Sequence, residues 1–213
     1  MGWRTTPPFR ADHVGSLLRP RRLLQARDDH AAGRIPDEEL RAVEDDAIRG
    51  VVAMQRDVGL QSATDGEFRR ASWHMDFIYR LGGVSRAPEH LKVQFRNPTG
   101  TIEFTAAALK IDGKVRLEQT IFGEDFHTLQ AMVTAATPKL TIPSPNMVHY
   151  RGGQAAIDRG VYPDLEQFWS DLGEAYAEQV RRIGELGCTY LQFDDTSSAW
   201  TPTSPATRNP CYN

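Results

Sequence analysis

Gly187-Cys188-Thr189-Tyr190-Leu191-Gln192-Phe193-Asp194-Asp195 runs a helix stop, a short strand and an acidic exit together without a spacer. Upstream, Gly59-Leu60-Gln61-Ser62-Ala63-Thr64-Asp65-Gly66-Glu67 keeps the same order. Each follows a long segment of helical period. From Asp37 to Val58, residues Leu40, Val43, Ala47, Val51, Met54 and Val58 recur every three or four positions, which keeps them on one helix face. Asp37 is the expected N-cap and Gly59 the stop. From Asp164 to Leu186, residues Leu165, Phe168, Leu172, Tyr176 and Ile183 do likewise, with Asp164 and Gln167 resembling a capping box. Helices alternating with short strands predict parallel βαβ units. Acids at the exit of a short buried strand are costly unless they face a solvated rim. In a (β/α)8 barrel that rim is the C-terminal face, where active sites lie.

Further out, Ala11 to Ser16 is the expected first strand, ahead of a short helix that starts near Pro20, and Lys139 to Ser144 is another, ended by Pro143 and Pro145. Leu109, Ile111, Val115 and Leu117 flank Asp112-Gly113, a two-residue hairpin signal. Residues 91–120 are therefore expected to form an antiparallel insertion, with Glu124 to Ala136 returning as helix. The count is about four to five barrel strands where closure needs eight. The expected fold is α/β, the N-terminal portion of a (β/α)8 TIM-type barrel over residues 1–200. Residues 201–213, with three prolines and no periodicity, read as an irregular tail.

Composition narrows the function classes. The 213 residues are 40% hydrophobic and 25% charged with a formal net charge of −3, which is ordinary globular chemistry. Arg19, Arg21 and Arg22 form the densest basic spot, and they read as a solvated helix start, so nucleic acid is not an expected partner. No stretch reaches the roughly 20 apolar residues of a membrane span, and Met1 to Arg10 has no apolar signal region. Cys188 and Cys211 suggest no disulfide framework. The cytoplasm is the expected location. An incomplete barrel leaves unpaired strand edges, so self-association through an open edge is expected.

Three strand exits carry the candidate chemistry. His13-Val14-Gly15-Ser16 closes one, with a glycine that lets a ligand approach the backbone. Asp65-Gly66-Glu67 and Asp194-Asp195 close the others. Carboxylates on one rim grip an ammonium group, and backbone N–H groups near Ser16 receive a carboxylate, so together they suit a small α-amino acid.

The runs Arg10-Ala11-Asp12-His13-Val14-Gly15-Ser16-Leu17-Leu18-Arg19-Pro20, Thr64-Asp65-Gly66-Glu67-Phe68-Arg69-Arg70 and Tyr190-Leu191-Gln192-Phe193-Asp194-Asp195-Thr196 resemble the cobalamin-independent methionine synthase family, in particular its short bacterial members. Ile142-Pro143-Ser144-Pro145 fits the same subgroup, and the resemblance covers about residues 9 to 200. It implies methyl transfer from 5-methyltetrahydropteroyltriglutamate to homocysteine. It also implies that Val14, Gly15 and Ser16 bind the homocysteine carboxylate, Glu67 the amino group, and that Asp194 contacts the amino acid. His13, Asp65 and Asp195 are the further rim candidates. No catalytic residue is assigned.

The family's zinc ligands are a His-x-Cys pair, a glutamate and a distant cysteine, and nothing in this chain matches them. Cys188 reads as a core residue, and His13, His74 and His149 lack ligand spacing. The family's folate-side tryptophan and glutamate align with Pro145 and Trp200, which leaves the methyl donor open. The chain is therefore expected to hold the amino-acid-binding half of a methyltransferase, truncated before the zinc segment and inactive alone. The alternatives are a non-catalytic amino-acid-binding remnant, or a barrel glycosidase using Glu67 and Asp194 at about 5 to 9.5 Å.

Overall fold

The structure, a computed structural model, describes residues 6–9, 11–87, 91–97, 100–106, 109–150 and 153–196, with 91–97 and 100–106 as backbone. The expected tail and Cys211 lie outside the described residues. In chain order the elements are α1 (Arg21–Ala31), α2 (Asp37–Asp57), β1 (Ser62–Ala63), α3 (Met75–Ile78), β2 (Gly82–Arg86), β3 (Leu91–Asn97), β4 (Gly100–Ala106), β5 (Leu109–Arg116), α4 (Gly123–Met132), β6 (Thr137–Pro138), β7 (Leu140–Pro143), α5 (Asn146–Tyr150), α6 (Leu165–Glu185) and β8 (Leu191–Asp194). This is an α/β chain with short two-stranded sheets, and no closed barrel forms among the described residues. It divides into two compact units.

The first unit comprises Met1–Trp73, Phe122–Ile142 and Ile183–Asp194. β1 pairs in parallel with β6, Ser62 opposite Thr137 and Ala63 opposite Pro138. The strand then changes neighbour: Lys139 N donates to Ala63 O at 2.9 Å, while Leu140 N donates to Tyr190 O at 3.1 Å, and β7 pairs with β8. The middle strand is thus shared between β1 and β8. The core behind it is Leu23, Ile48, Val51, Val52, Phe68 and Leu129.

α2 corrects two expectations. Pro36 is its N-cap, so Asp37 is the first helical residue. Its buried stripe is Glu44, Ile48, Val51, Val52 and Gln55, whereas Met54 and Val58 are exposed. Two polar residues are inside because each has a partner. Glu44 lies 3.4 Å from Arg69 Nε, and the same buried guanidinium pairs with Asp45 and reaches Asp125 at 3.6 Å. Gln55 donates to Val51 O at 3.0 Å and Thr64 O at 2.9 Å. α4 ends at Met132 rather than Ala136, because Val133 turns extended (φ −92°, ψ 115°) on the way into β6.

The second unit comprises His74–Ile121, Pro143–Arg182 and Asp195–Asn213. Its antiparallel pairs are β2 with β5 and β3 with β4, Asn97 opposite Gly100. Asp112-Gly113 is therefore not a hairpin turn. It lies inside β5, where the register jumps from Gly82↔Arg116 to Val84↔Ile111. A Cβ on Gly83 would stand 2.4 Å from Lys114 O and 2.6 Å from Gly113 O, so the bulge depends on two backbones touching at glycine. α6 buries Phe168, Leu172 and Tyr176 as its spacing predicts. Asp164 Oδ1 accepts from Glu166 N at 2.9 Å at its start, and Gly187 leaves the helix at φ +90°. Gln179 closes the packing by bonding both N and O of Ile121, at 2.9 and 2.8 Å.

Candidate functional site

One face of the first unit's sheet is polar by construction. Side chains alternate along a strand, so Ser62 and Thr64, Lys139 and Thr141, and Tyr190, Gln192 and Asp194 share a face. Residues 12–17 lie across it. The expected strand over Ala11–Ser16 is not a ladder strand, and the reason is where its carbonyls go. His13 O accepts from Lys139 Nζ at 2.5 Å, Val14 O from Gln192 Nε2 at 2.7 Å, and Gly15 O from Thr64 Oγ1 at 2.7 Å. Side chains of three neighbouring strands take the bonds that a ladder would have taken. Leu17 N then donates to Gly66 O at 3.1 Å, joining this segment to the Asp65-Gly66-Glu67 turn.

Gly15 (φ +141°) sits so close that a Cβ would meet Thr141 Cγ2 at 2.6 Å. Gly15→Ala is expected to cost about 1–3 kcal/mol, from overpacking and an unfavourable φ together. Urea denaturation tests this, and an unchanged midpoint would show that the segment is not clamped there.

Glu67 is buried in a left-handed conformation (φ +59°), following Gly66 at φ +68°. Such a conformation persists for a glutamate only where its surroundings over-determine it. Asp65 Oδ1 accepts from Glu67 N at 2.8 Å. Arg19 donates to the carbonyls of Glu67 (2.9 Å) and Arg70 (2.8 Å), and Arg27 donates to those of Phe68 and Arg70. Arg19 is thus a brace for this turn, beyond the solvated role its basic cluster suggests.

The Glu67 carboxylate is asymmetric. Oε1 accepts from Thr141 Oγ1 at 2.8 Å and faces Arg70 Nη1 at 3.4 Å, while the buried Oε2 has no hydrogen-bond partner among the described residues. Arg70 is itself buried. It donates to Thr141 O at 2.7 Å and stacks over Phe122 at 4.1 Å. Asp194 ends β8 with Oδ1 accepting from Gln192 Nε2 at 2.5 Å. Burial pushes its carboxyl above the usual range, opposed by that bond and by the charges of Arg70 and Lys139. Gln192 Nε2 thus connects Val14 O with Asp194, and Thr64 Oγ1 connects Gly15 O with the Asp65-Gly66-Glu67 turn, while Ser16 is exposed.

His13 connects to Thr64 as well. Gln55 has both amide hydrogens on carbonyls, so its Oε1 accepts from Thr64 N (2.9 Å) and from His13 Nε2 (2.7 Å). That places an imidazole hydrogen on Nε2, and the buried Nδ1 has no hydrogen-bond partner among the described residues. Asp195 belongs to the second unit, where it accepts from Asn146 Nδ2 at 3.1 Å. Sequence reasoning missed Arg70, Thr141, Lys139 and Gln192. The last three were visible as polar positions alternating with Leu140, Ile142, Leu191 and Phe193.

No group of three or more His, Cys, Asp or Glu side chains able to hold a metal ion occurs among the described residues. His149 packs against Trp169 at 5.1 Å and burial lowers its pKa; Cys188 is half-buried and burial raises its thiol. Zinc therefore does not fit the described residues. No helix among them is long and apolar enough to cross a membrane.

No protein-family model matches the chain. The Bacillus subtilis (strain 168) proteins YxjH and YxjG are 42% and 41% identical to it over 190 and 198 residues, covering 89% and 92% of this chain and 48% and 50% of their own length. A methionine synthase of Pyrococcus abyssi is 26% identical over 185 residues, covering 85% of this chain and 50% of its own. A solved structure of a candidate vitamin-B12-independent methionine synthase from Listeria monocytogenes superposes with TM-score 0.75 at 38% identity, covering 95% of this chain and 57% of that one. A B12-independent methionine synthase from Shewanella sp. W3-18-1, solved with selenomethionine, shares the fold at TM-score 0.63 and 22% identity, covering 86% and 50%. Spanning about half the length of the curated relatives it matches, this chain is similar to the cobalamin-independent methionine synthase-like proteins.

Proposed function

We propose that the first unit is the amino-acid-binding part of a methionine-synthase-like methyltransferase, built on a portion of a (β/α)8 barrel. Its ligand is homocysteine or a related amino-acid thiol, with methionine as the methylated form. The observation that carries this reading is Glu67 Oε2, a buried carboxylate oxygen with no partner among the described residues beside a tied Oε1. A buried carboxylate oxygen left without a donor is expensive, and an α-ammonium supplies donors and positive charge together. Asp194, raised by burial, adds a second carboxylate that a bound cation would draw toward its charged form. The Val14-Gly15-Ser16 backbone, held to the sheet through its carbonyls, offers N–H groups to the ligand carboxylate.

These residues bind and orient the amino acid. None of them is assigned to activating the thiol, and the methyl donor is not assigned to this chain. Calorimetric titration with L-methionine, L-homocysteine and 4-(methylthio)butanoate tests the reading. Heat of binding is expected from the two amino acids and not from the analogue lacking the amino group. Equal affinity for that analogue would show that Glu67 does not hold an ammonium.

A further inference from the structure

Two side chains of the first unit's sheet each touch both the Val14-Gly15 backbone and one of the site's acids. Thr141 is the first. It is 2% exposed in β7, and its branched Cβ leaves the side chain little rotational freedom. Its Oγ1 donates to Glu67 Oε1 at 2.8 Å, while a Cβ on Gly15 would stand 2.6 Å from its Cγ2. The hydroxyl fixes Glu67 and the methyl limits how near Gly15 comes, and one carbon carries both. Arg70 holds the same residue, donating to Thr141 O at 2.7 Å and to Oγ1 at 3.3 Å. Gln192 is the second. Its Nε2 donates to Val14 O at 2.7 Å and to Asp194 Oδ1 at 2.5 Å, so a single nitrogen spans the segment and the acid. Thr141 and Gln192 lie on the paired strands β7 and β8.

A backbone and an acid held together through one carbon or one nitrogen suit a ligand whose carboxylate and ammonium share a carbon. A β-amino acid puts a further methylene between those groups, and a pre-set pair cannot spread to meet it without losing a bond. We propose that Thr141 and Gln192 are positioning residues that confine this site to α-amino acids. The proposal rests on the amino-acid reading of the site and adds to it the spacing that the ligand's two charged groups must have. Both residues act through the groups they hold, Gly15 and Glu67 for Thr141, Val14 and Asp194 for Gln192.

The full chain is titrated calorimetrically with L-methionine and with its β-amino homologue, 3-amino-5-(methylthio)pentanoate. The native chain is expected to bind L-methionine about tenfold or more tightly than the homologue. Thr141→Val keeps the methyl and the volume but removes the hydroxyl; Gln192→Met keeps the length but removes the donor. Each is expected to weaken L-methionine about tenfold and to leave the homologue nearly unchanged, so the preference collapses. A residue that only supported the fold would weaken both ligands alike and preserve their ratio. Gln192 is half-buried, so Gln192→Met carries the test should circular dichroism show Thr141→Val unfolded. Equal native affinity for the two ligands, or a folded Gln192→Met that keeps the native preference, overturns the proposal while the amino-acid site stands. A native chain that binds neither ligand removes the amino-acid reading, and this proposal with it.

Discussion

Glu67→Ala is expected to abolish measurable binding of L-methionine and L-homocysteine, a loss of about 100-fold or more. Truncating one partner of a buried charge pair costs about 2–5 kcal/mol, and each 1.4 kcal/mol is about tenfold in affinity. The backbone should tolerate the change. The left-handed φ of +59° strains alanine no more than glutamate, and Arg19 and Arg27 hold the turn through main-chain carbonyls. Arg70 keeps Thr141 O as an acceptor when the carboxylate is gone. Glu67→Gln separates charge from shape, because its amide oxygen can still accept from Thr141 Oγ1 where Oε1 does now. Both variants should unfold cooperatively in urea, and both should fail to bind. A glutamine variant that binds as tightly as the native chain would mean that the carboxylate charge is unused, and the ammonium assignment would fall.

That Glu67 was readable at all follows from local chemistry. A glycine followed by an acid at the exit of a short strand is informative within a few residues, and the same holds for Asp194 after Tyr190-Leu191-Gln192-Phe193. The long helices were readable for a similar reason, since Phe168, Leu172 and Tyr176 bury as their spacing predicts. What stayed hidden depends on partners far away in sequence. Glu44 and Gln55 are inside α2's packed face because Arg69, Thr64 and His13 meet them there, and a hydrophobic pattern assigns both to solvent. Thr141 reaches Glu67 across 74 positions. Asp112-Gly113 signals a turn from local propensity, but Gly83 lets the opposing backbone close onto it and makes a bulge instead. Ala11–Ser16 has strand-like residues and extended neighbours, yet its carbonyls are taken by Lys139, Gln192 and Thr64 side chains. The acidic strand exits were legible in the sequence; the distant side chains that hold their turns were not.

Lys139→Met should lower stability by about 3 kcal/mol. The native ammonium is 0% exposed, donates to Asp12 Oδ2 at 3.0 Å and to His13 O at 2.5 Å, and lies 5.0 Å from the Tyr190 ring centre. Methionine fills similar volume, so the loss is electrostatic rather than a cavity. Removing one member of a buried ion pair typically costs about 3–5 kcal/mol. The lower end applies here because Asp12 keeps Ser62 Oγ at 2.6 Å and the Tyr190 hydroxyl. In urea the midpoint should fall by on the order of 1–2 M with little change in slope. Acid titration of stability provides a second readout. Burial raises the Asp12 carboxyl, but the bonds from Ser62, Tyr190, Lys139 and His13 N outweigh it and hold the group at about 2. A carboxyl depressed on folding stabilises the native chain above its ordinary value of 3.8, and that contribution is lost as pH falls from there through about 2. With the ammonium gone the depression is smaller, so the acid-side decline of Lys139→Met should be shallower than that of the native chain. Asp12→Asn should overlap with it, the double variant losing less than the two singles together. Additive losses and an unchanged acid limb would mean that Lys139 holds the 12–17 segment through the His13 carbonyl alone, with no coupling to Asp12.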